Sequence, residues 1–324
     1  MTSSILIFAA VSAVLTLLSG VAYRLWWNRY RSDDLTPTGF GALLAVVLLM
    51  AALIFQGPGP ETTALGLVLA AGAVYWIDDF RELSARLRMI VSFVTGAATC
   101  VVLMSHSAPP LVSVIGFAVL AGGLNVVLTN IVNFYDGADL NLATLIALTA
   151  GMILLVAPTP GFMTHSAVAC LAFITPFALM NSRPRTLYLG DAGSFVFASF
   201  VTMMALIYFR GDGELNASAA IPLALPALDT FYVFCVRIIK GHDLLTRNYL
   251  HLYQKLNHRY RGFGYLVPQI VNVGLVYVAV AALRASGISD SWASILAMAG
   301  VTIPVYFACR RLFVYGMTDE SGAP

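Results

Sequence analysis

The run Leu189-Gly-Asp-Ala-Gly-Ser-Phe-Val-Phe-Ala-Ser-Phe-Val-Thr-Met-Met-Ala-Leu-Ile-Tyr-Phe209 carries no charged side chain between Asp191 and Arg210. Its uncharged part, Ala192 to Phe209, is 18 residues long. A helix needs about 17 to 25 apolar residues to cross the hydrocarbon of a bilayer, so this stretch reads as a membrane span opened by a polar motif. Similar runs recur along the chain, at about 4–23, 38–56, 61–77, 88–105, 111–129, 140–157, 164–181, 192–209, 217–237, 266–284 and 290–309. Several are short or abut one another, so ten is the alternative to eleven. Of the 324 residues 59% are hydrophobic and 10% charged, where a soluble domain has about 25% charged. The mean hydropathy is +0.84. The fold expected is an all-α, polytopic integral membrane protein of about ten or eleven transmembrane helices, forming a single domain over 1–324. No internal repeat and no low-complexity tract interrupts it.

The charges orient this map. The first run, Ile5 to Tyr23, has no basic residue before it and Arg24, Arg29 and Arg31 after it. A secretory signal has the opposite polarity and a shorter core, so this is read as a first transmembrane helix with its N-terminus outside. With that start, all but Arg210 and Arg284 of the 18 lysines and arginines fall on the cytoplasmic side, as the positive-inside bias requires. Cys100, Cys170, Cys235 and Cys309 are far apart in or beside apolar runs, and none forms a C-x-x-C. Neither a disulfide framework nor a zinc site is expected.

Four polar constellations map to that cytoplasmic side. Asp78 and Asp79 are adjacent acids at the end of the third run, and such neighbours repel unless a cation or a proton compensates. Asn130-x-x-Asn133-x-x-Asp136-Gly137-x-Asp139 brings its polar groups to one helical face or into a turn at Gly137. It offers hydrogen bonds to a nucleotide or oxygen ligands to a hard cation, and equally a cap and turn. Gly190, Asp191, Gly193 and Ser194 open the eighth span, where glycines admit a ligand to the backbone and a helix N-terminus favours phosphate. Asp191 could instead cap its own helix. Within 240–264, Arg247, His251, Lys255 and His258 follow helical spacing opposite Leu245, Tyr249, Leu252, Tyr253 and Leu256. That reads as a cytoplasmic amphipathic helix with a cationic face against membrane lipids. Asp229, inside the ninth run, is an intramembrane acid and for that reason a functional suspect.

In this order and spacing, the acid pair, N-x-x-N-x-x-D-G-x-D, Tyr188-Leu-Gly-Asp-Ala-Gly-Ser194 and a histidine-bearing loop resemble the polyprenyl-phosphate N-acetylhexosamine-1-phosphate transferases. The resemblance runs from about Thr36 to Arg261. His251-Leu-Tyr-Gln-Lys-Leu256 resembles the branch that starts bacterial O-antigen and related surface glycans. It implies a helical fold around a cytoplasmic active-site cleft in the bacterial inner membrane. It further implies undecaprenyl phosphate as acceptor, a UDP-N-acetylhexosamine as donor, UMP as leaving group, and Mg²⁺, or Mn²⁺ in its place. The donor expected is UDP-GlcNAc, with 6-deoxy relatives such as the QuiNAc or FucNAc nucleotides as alternatives. By motif, Asp78 is the base or orienting acid for the acceptor phosphate, and Asp79 and Asp191 position the metal. Asn130, Asn133, Asp136 and Asp139 line the nucleotide side, and Gly190 and Ser194 meet phosphate. His251 meets the diphosphate or sugar, with Arg247, Lys255 and His258 as further substrate contacts. A homodimer is expected by analogy, and a nucleic-acid partner is not expected.

Two departures stand out. The family's usual glycine after the second acid of D-G-x-D-G is replaced by Leu140-Asn141. The early P-x-x-G-G-G-like segment reads Thr36-Pro-Thr-Gly-Phe-Gly41, without the frequent arginine. A secondary transporter would show repeats and midplane ionisable groups. Here no repeat is found, and the acids other than Asp229 crowd the span ends.

Overall fold

The computed structural model describes residues 3–30, 36–105, 110–157, 159–182, 186–211, 217–242, 249–259, 266–286 and 292–314. Their regular structure is helical: α1 (Ser3–Tyr30), α2 (Ala42–Phe55), α3 (Pro60–Asp78), α4 (Ala85–Met104), α5 (Leu111–Tyr135), α6 (Asn141–Val156), α7 (Phe162–Asn181), α8 (Gly190–Arg210), α9 (Ala224–Ile239), α10 (Leu252–Arg259), α11 (Val267–Ser286) and α12 (Trp292–Phe313). A 3₁₀ turn, Ala217–Leu223, leads into α9. Each of the eleven apolar runs therefore has its helix, and α10 is an additional short one. Among the described residues, seven helical segments are long and apolar enough to cross a membrane: α1, α3, α4, α5, α7, α8 and the run Ala217–Ile239. α2 and α6 are apolar but shorter. The protein is an all-α polytopic membrane protein, and its four thiols are free.

The chain, read from sequence as one domain, groups into two compact units. The first comprises Met1–Asn133 and Ile153–Asn216. In it α3 packs against α2, α4 and α8, and α7 against α1 and α2. α8 is the most enclosed span, with 78% of its apolar window buried, whereas the windows of α1 and α5 are 22% and 17% buried. Large exposed side chains along α1 and α5, among them Ile7, Val14, Leu18, Val112 and Leu120, are what a lipid-facing helix displays.

Without a hydrophobic difference between helix and lipid, close packing and hydrogen bonds hold membrane helices together. The first unit shows both. Asn125 of α5 donates from Nδ2 to the Ser92 carbonyl of α4 at 2.8 Å and accepts from Thr202 Oγ1 of α8 at 2.9 Å. Ser92 Oγ lies 2.8 Å from the Tyr75 hydroxyl of α3 and donates to Thr129 Oγ1. Tyr75 stacks on Phe195 with ring centroids 4.2 Å apart. One polar ladder thus joins α3, α4, α5 and α8.

The second unit comprises Phe134–Met152 and Ala217–Pro324. Leu225, Leu252, Leu256, Leu275, Tyr306 and Cys309 form its described core, drawn from α9, α10, α11 and α12.

Gly96 sets how closely α4 approaches α5. A Cβ there would stand 2.5 Å from the Ala121 carbonyl oxygen and 2.6 Å from Asn125 Cβ. Gly96→Val is expected to destabilise the protein by about 1–3 kcal/mol through overpacking, read as a lowered unfolding temperature in detergent. An unchanged temperature would show that α4 and α5 are free to separate.

Candidate active site

Helix α8 begins with orphan N–H groups, as every helix does. The Asp79 carboxylate, from the residue that ends α3, fills that position. Asp79 Oδ1 accepts from Asp191 N at 3.0 Å and Oδ2 from Ala192 N at 3.2 Å. Thr38 Oγ1 donates to Oδ1 at 3.1 Å, and the Thr38 carbonyl in turn accepts from the Tyr23 hydroxyl at 2.6 Å. The sequence offers this helix start to a substrate phosphate or to a cap by Asp191; in the structure the Asp79 carboxylate lies at the partial positive charge of the helix terminus.

The glycines serve the same purpose. Gly190 has φ +74, and a Cβ on it would run into both Asp79 carboxylate oxygens and Gly39 N. Gly193 packs against Gly41, where a Cβ on Gly41 would strike the Gly193 backbone. Phe40 N and Gly41 N donate to the Tyr188 and Leu189 carbonyls, and Tyr188 N donates back to the Pro37 carbonyl. The Thr36–Gly41 segment is thereby tied alongside Tyr188–Leu189. Ser194, expected to meet phosphate, is fully buried in α8. Gly190, Gly193 and Ser194 thus build the packing of the helix start, because close backbone approach there is protein against protein.

The Asp191 side chain is released from capping its own helix. Its Oδ1 accepts from Asn133 Nδ2 at 2.6 Å and its Oδ2 from Arg88 Nη1 at 3.1 Å. The same Arg88 nitrogen lies 3.4 Å from Asp78 Oδ2. Asp78 Oδ1 accepts from Leu83 N, which holds the short α3–α4 connection. Asp78, read as the acceptor's base, has a buried side chain that anchors Arg88. Three carboxylates and one guanidinium therefore share the ends of α3, α4, α5 and α8. Burial, reinforced by the neighbouring Asp191 carboxylate, pushes the Asp79 carboxyl up to about 7, against the lowering effect of its hydrogen bonds. Asn130 is exposed and donates to the Val126 carbonyl of its own helix.

The second unit gathers the other motifs. The turn Asp136–Leu140 follows α5, with Asp136 half-buried and Asp139 buried. Tyr253 of α10 donates its hydroxyl to the Phe134 carbonyl at 2.7 Å, and a Cβ on Gly137 would strike that hydroxyl. Leu140 sits at φ +65, the left-handed region that glycine favours. Gln269 of α11 donates to the Asp139 carbonyl at 3.2 Å.

The cationic stripe is also corrected. His251 precedes α10 and is buried, as is Lys255, whereas His258 is exposed near the helix end. Arg247 lies outside the described residues. The reason is that Leu252 and Leu256 are drawn into the core of the unit, and Asp229 holds the residues that start the helix. His251 Nδ1 is 2.9 Å from Asp229 Oδ2, and Leu252 N donates to Oδ1 at 3.0 Å.

Sequence reading missed Arg88 and Thr38. Arg88 stands ten residues after Asp78, a spacing that could have marked it as the cation answering the acid pair.

A hard cation suits the first unit's cluster in one respect: two carboxylates, Asp78 and Asp191, face one guanidinium, which leaves surplus negative charge. Among the described residues no group of three or more His, Cys, Asp or Glu side chains forms a ready-made metal site. Mg²⁺ commonly takes only one or two protein carboxylates and completes its shell with water and phosphate oxygens. Asp191 meets that requirement, since each of its oxygens accepts one hydrogen bond and retains lone-pair capacity. Asp79, with three donors on its two oxygens, is better suited to aim Asp191 than to hold an ion.

Fold and cluster together define a polytopic helical membrane protein with its acids gathered where helices start and end. Residues 61–209 match the sequence model of glycosyl transferase family 4. It is 33% identical over 186 residues to a phospho-N-acetylmuramoyl-pentapeptide-transferase of Picosynechococcus sp., with 49% of each chain covered. It is 24% identical over 254 residues to a probable undecaprenyl-phosphate N-acetylglucosaminyl 1-phosphate transferase of Bacillus subtilis, covering 73% of this chain and 69% of that one. A putative glycosyltransferase of Methanocaldococcus jannaschii is 22% identical over 205 residues, covering 62% of this chain and 65% of the relative. The alignment to the Picosynechococcus protein spans about half the length of that relative.

The Asp79 carboxyl gives a prediction with a definite sign. Its folded pKa near 7 exceeds the ordinary value of about 4, so between those values the folded state binds a proton that the unfolded state does not. Stability is then highest below about pH 4 and is lost as pH rises through about 7. In chelated, metal-free detergent solution the unfolding temperature of the wild type should fall between about pH 5 and about pH 8. The fall should be shallower in Asp79→Asn; equal slopes would assign the titration to another group.

Proposed function

We propose that the protein transfers an N-acetylhexosamine-1-phosphate from a UDP-N-acetylhexosamine to undecaprenyl phosphate, at the cytoplasmic face of a bacterial inner membrane. The product would start an O-antigen or related surface glycan. The observation that carries this reading is the convergence of Asp78, Asp79, Asp191, Asn133 and Arg88 within the segment that matches the family model, in a chain similar to named phosphosugar transferases. An oxygen of the lipid phosphate attacks the β-phosphorus of the donor. The bond from that phosphorus to the oxygen shared with the α-phosphorus breaks, and UMP leaves with that oxygen.

Both reactants are anions, so the first demand is neutralisation of charge in a preorganised site. Arg88 is the described cation of the cluster, and its contacts to Asp78 and Asp191 fix its guanidinium plane before substrate arrives. Asp191, aimed by Asn133 and by the Asp79 anchor, is the residue to hold Mg²⁺, or Mn²⁺. When bound, the ion supplies charge neutralisation on phosphate oxygens. Asp78 positions Arg88 rather than removing a proton, since the acceptor phosphate is already largely ionised at neutral pH. Asp136, Asp139 and His251 are assigned to the donor by motif, with Asp136 and Asp139 on the nucleotide side and His251 at the diphosphate or sugar.

The test is UMP release by the purified full chain with undecaprenyl phosphate, Mg²⁺ and a donor panel. The panel holds UDP-GlcNAc, its QuiNAc and FucNAc counterparts, and UDP-MurNAc-pentapeptide. Release is expected to need both lipid and metal. Asp191→Asn should lower turnover roughly 100-fold or more at an unchanged unfolding temperature. Silence with every donor would overturn the reading, and release from the MurNAc-pentapeptide donor alone would overturn the choice of sugar. Wild-type-like turnover in Asp191→Asn would end its role at the metal.

A further inference from the structure

The second unit contains a buried carboxylate, Asp229, that has no part in the proposed chemistry. Asp229 sits inside α9 with 2% of its surface exposed, and His251 beside it has 4%. Burying a carboxylate is costly unless it is fully paired and hydrogen-bonded. Asp229 meets that demand completely. Its Oδ1 accepts from the Tyr306 hydroxyl at 2.7 Å, from Leu252 N at 3.0 Å and from Arg310 Nη1 at 3.4 Å. Its Oδ2 accepts a second, longer contact from Leu252 N at 3.2 Å and faces His251 Nδ1 at 2.9 Å.

The direction of each bond can be deduced. Leu252 N–H and Arg310 can only donate. Arg310 Nη1 also donates to the Tyr306 oxygen at 3.0 Å, so the Tyr306 proton is left to point at Asp229. Both carboxylate oxygens therefore receive donors, and neither needs a proton of its own. The remaining partner, His251 Nδ1, must donate as well. The imidazole is held as the Nδ1–H form, and Nε2 is the nitrogen without a hydrogen bond among the described residues. The ring orientation is fixed from its own chain too: His251 N donates to Gln254 Oε1 at 3.1 Å, and the ring stacks on Tyr253. Arg310 closes the assembly by donating to the Leu250 carbonyl at 3.1 Å and lying over the Tyr232 ring.

We infer that Asp229 is a positioning residue that fixes the tautomer and orientation of His251, so that Nε2 is the nitrogen offered to a substrate phosphate oxygen. This rests on the transferase reading for what His251 does, but not for how it is held. A second-layer carboxylate of this kind commonly sets which imidazole nitrogen is reactive. Tyr306 and Arg310 act behind it, by keeping the carboxylate ionised and immobile without touching the histidine.

Two measurements on the full-length protein test this. The first is ¹⁵N-histidine NMR, with the His251 signals assigned by their loss in His251→Gln. The wild type should show protonated Nδ1. In Asp229→Asn the balance should move toward protonated Nε2, because an amide can donate to Nδ1. A wild-type ring protonated only at Nε2 would overturn the inference, whether or not the enzyme turns over. The second is a double-mutant comparison of UMP release. Asp229→Asn alone should lower kcat roughly 10²- to 10⁴-fold, the scale seen when a histidine is held in the wrong tautomer, with donor KM within about threefold. In a His251→Gln background the same change should add less than about threefold. Multiplying effects would mean that Asp229 acts through the fold rather than through His251, and would overturn the inference. If the wild type releases no UMP, the transferase reading fails, while the NMR result still decides how Asp229 holds the ring.

Discussion

The fold of the first unit depends on a carboxylate at the start of a helix that belongs to another helix. Asp79 ends α3 and caps α8, so two membrane helices are joined end to end by N–H groups that would otherwise be orphaned. That single contact demands several others. Gly190 must be glycine to leave room for it, Thr38 must come near enough to donate, and Gly41 must lie against Gly193. With its helix start already capped, Asp191 turns its side chain to Arg88 and Asn133. The polar cluster follows from how the helices are joined.

The second unit uses the same device. Asp229 of α9 accepts the N–H of Leu252 at the start of α10, and the histidine just before that helix is caught by the same group. In both units an acid from a neighbouring span opens a helix and sets the direction of an adjacent polar side chain. Such an anion does not release or exchange like a ligand, and it gives the local backbone one geometry. The difference lies in the surroundings. Asp229 has Arg310 and Tyr306 beside it, whereas Asp79 has another acid nearby and is pushed toward neutrality.

The helices were legible because apolar length is a strong signal: all eleven runs correspond to helices, with ends displaced by up to seven residues. The acid motifs were legible as polar residues placed where spans end. What could not be read was which groups face a ligand and which face the protein. Gly190, Gly193 and Ser194 have the composition of a phosphate loop, yet Asp79, from 111 residues earlier in the chain, fills the space at Gly190, Gly41 and Leu189 lie against Gly193, and Ser194 is buried. Periodicity alone put His251, Lys255 and His258 on one exposed face, but Asp229 and the Leu225–Leu256 core turn two of them inward. Arg88 was passed over because an arginine near a span end looks like an ordinary topogenic charge. Leu140 was visible as an anomaly, and its φ of +65 gives the physical meaning of the glycine it replaces.

α2 has only 14 residues, which at about 1.5 Å per residue extends some 21 Å, short of a hydrocarbon layer of about 30 Å. The residues that lead into it, Phe40 and Gly41, are tied to Tyr188–Leu189 by main-chain bonds, and Gly41 is packed on Gly193, so it cannot slide along its axis to make up the difference. A span this short is accommodated by thinning of the bilayer beside it, by snorkelling of its flanking residues or by association with another copy. The brevity of one helix thus becomes a demand on what surrounds it.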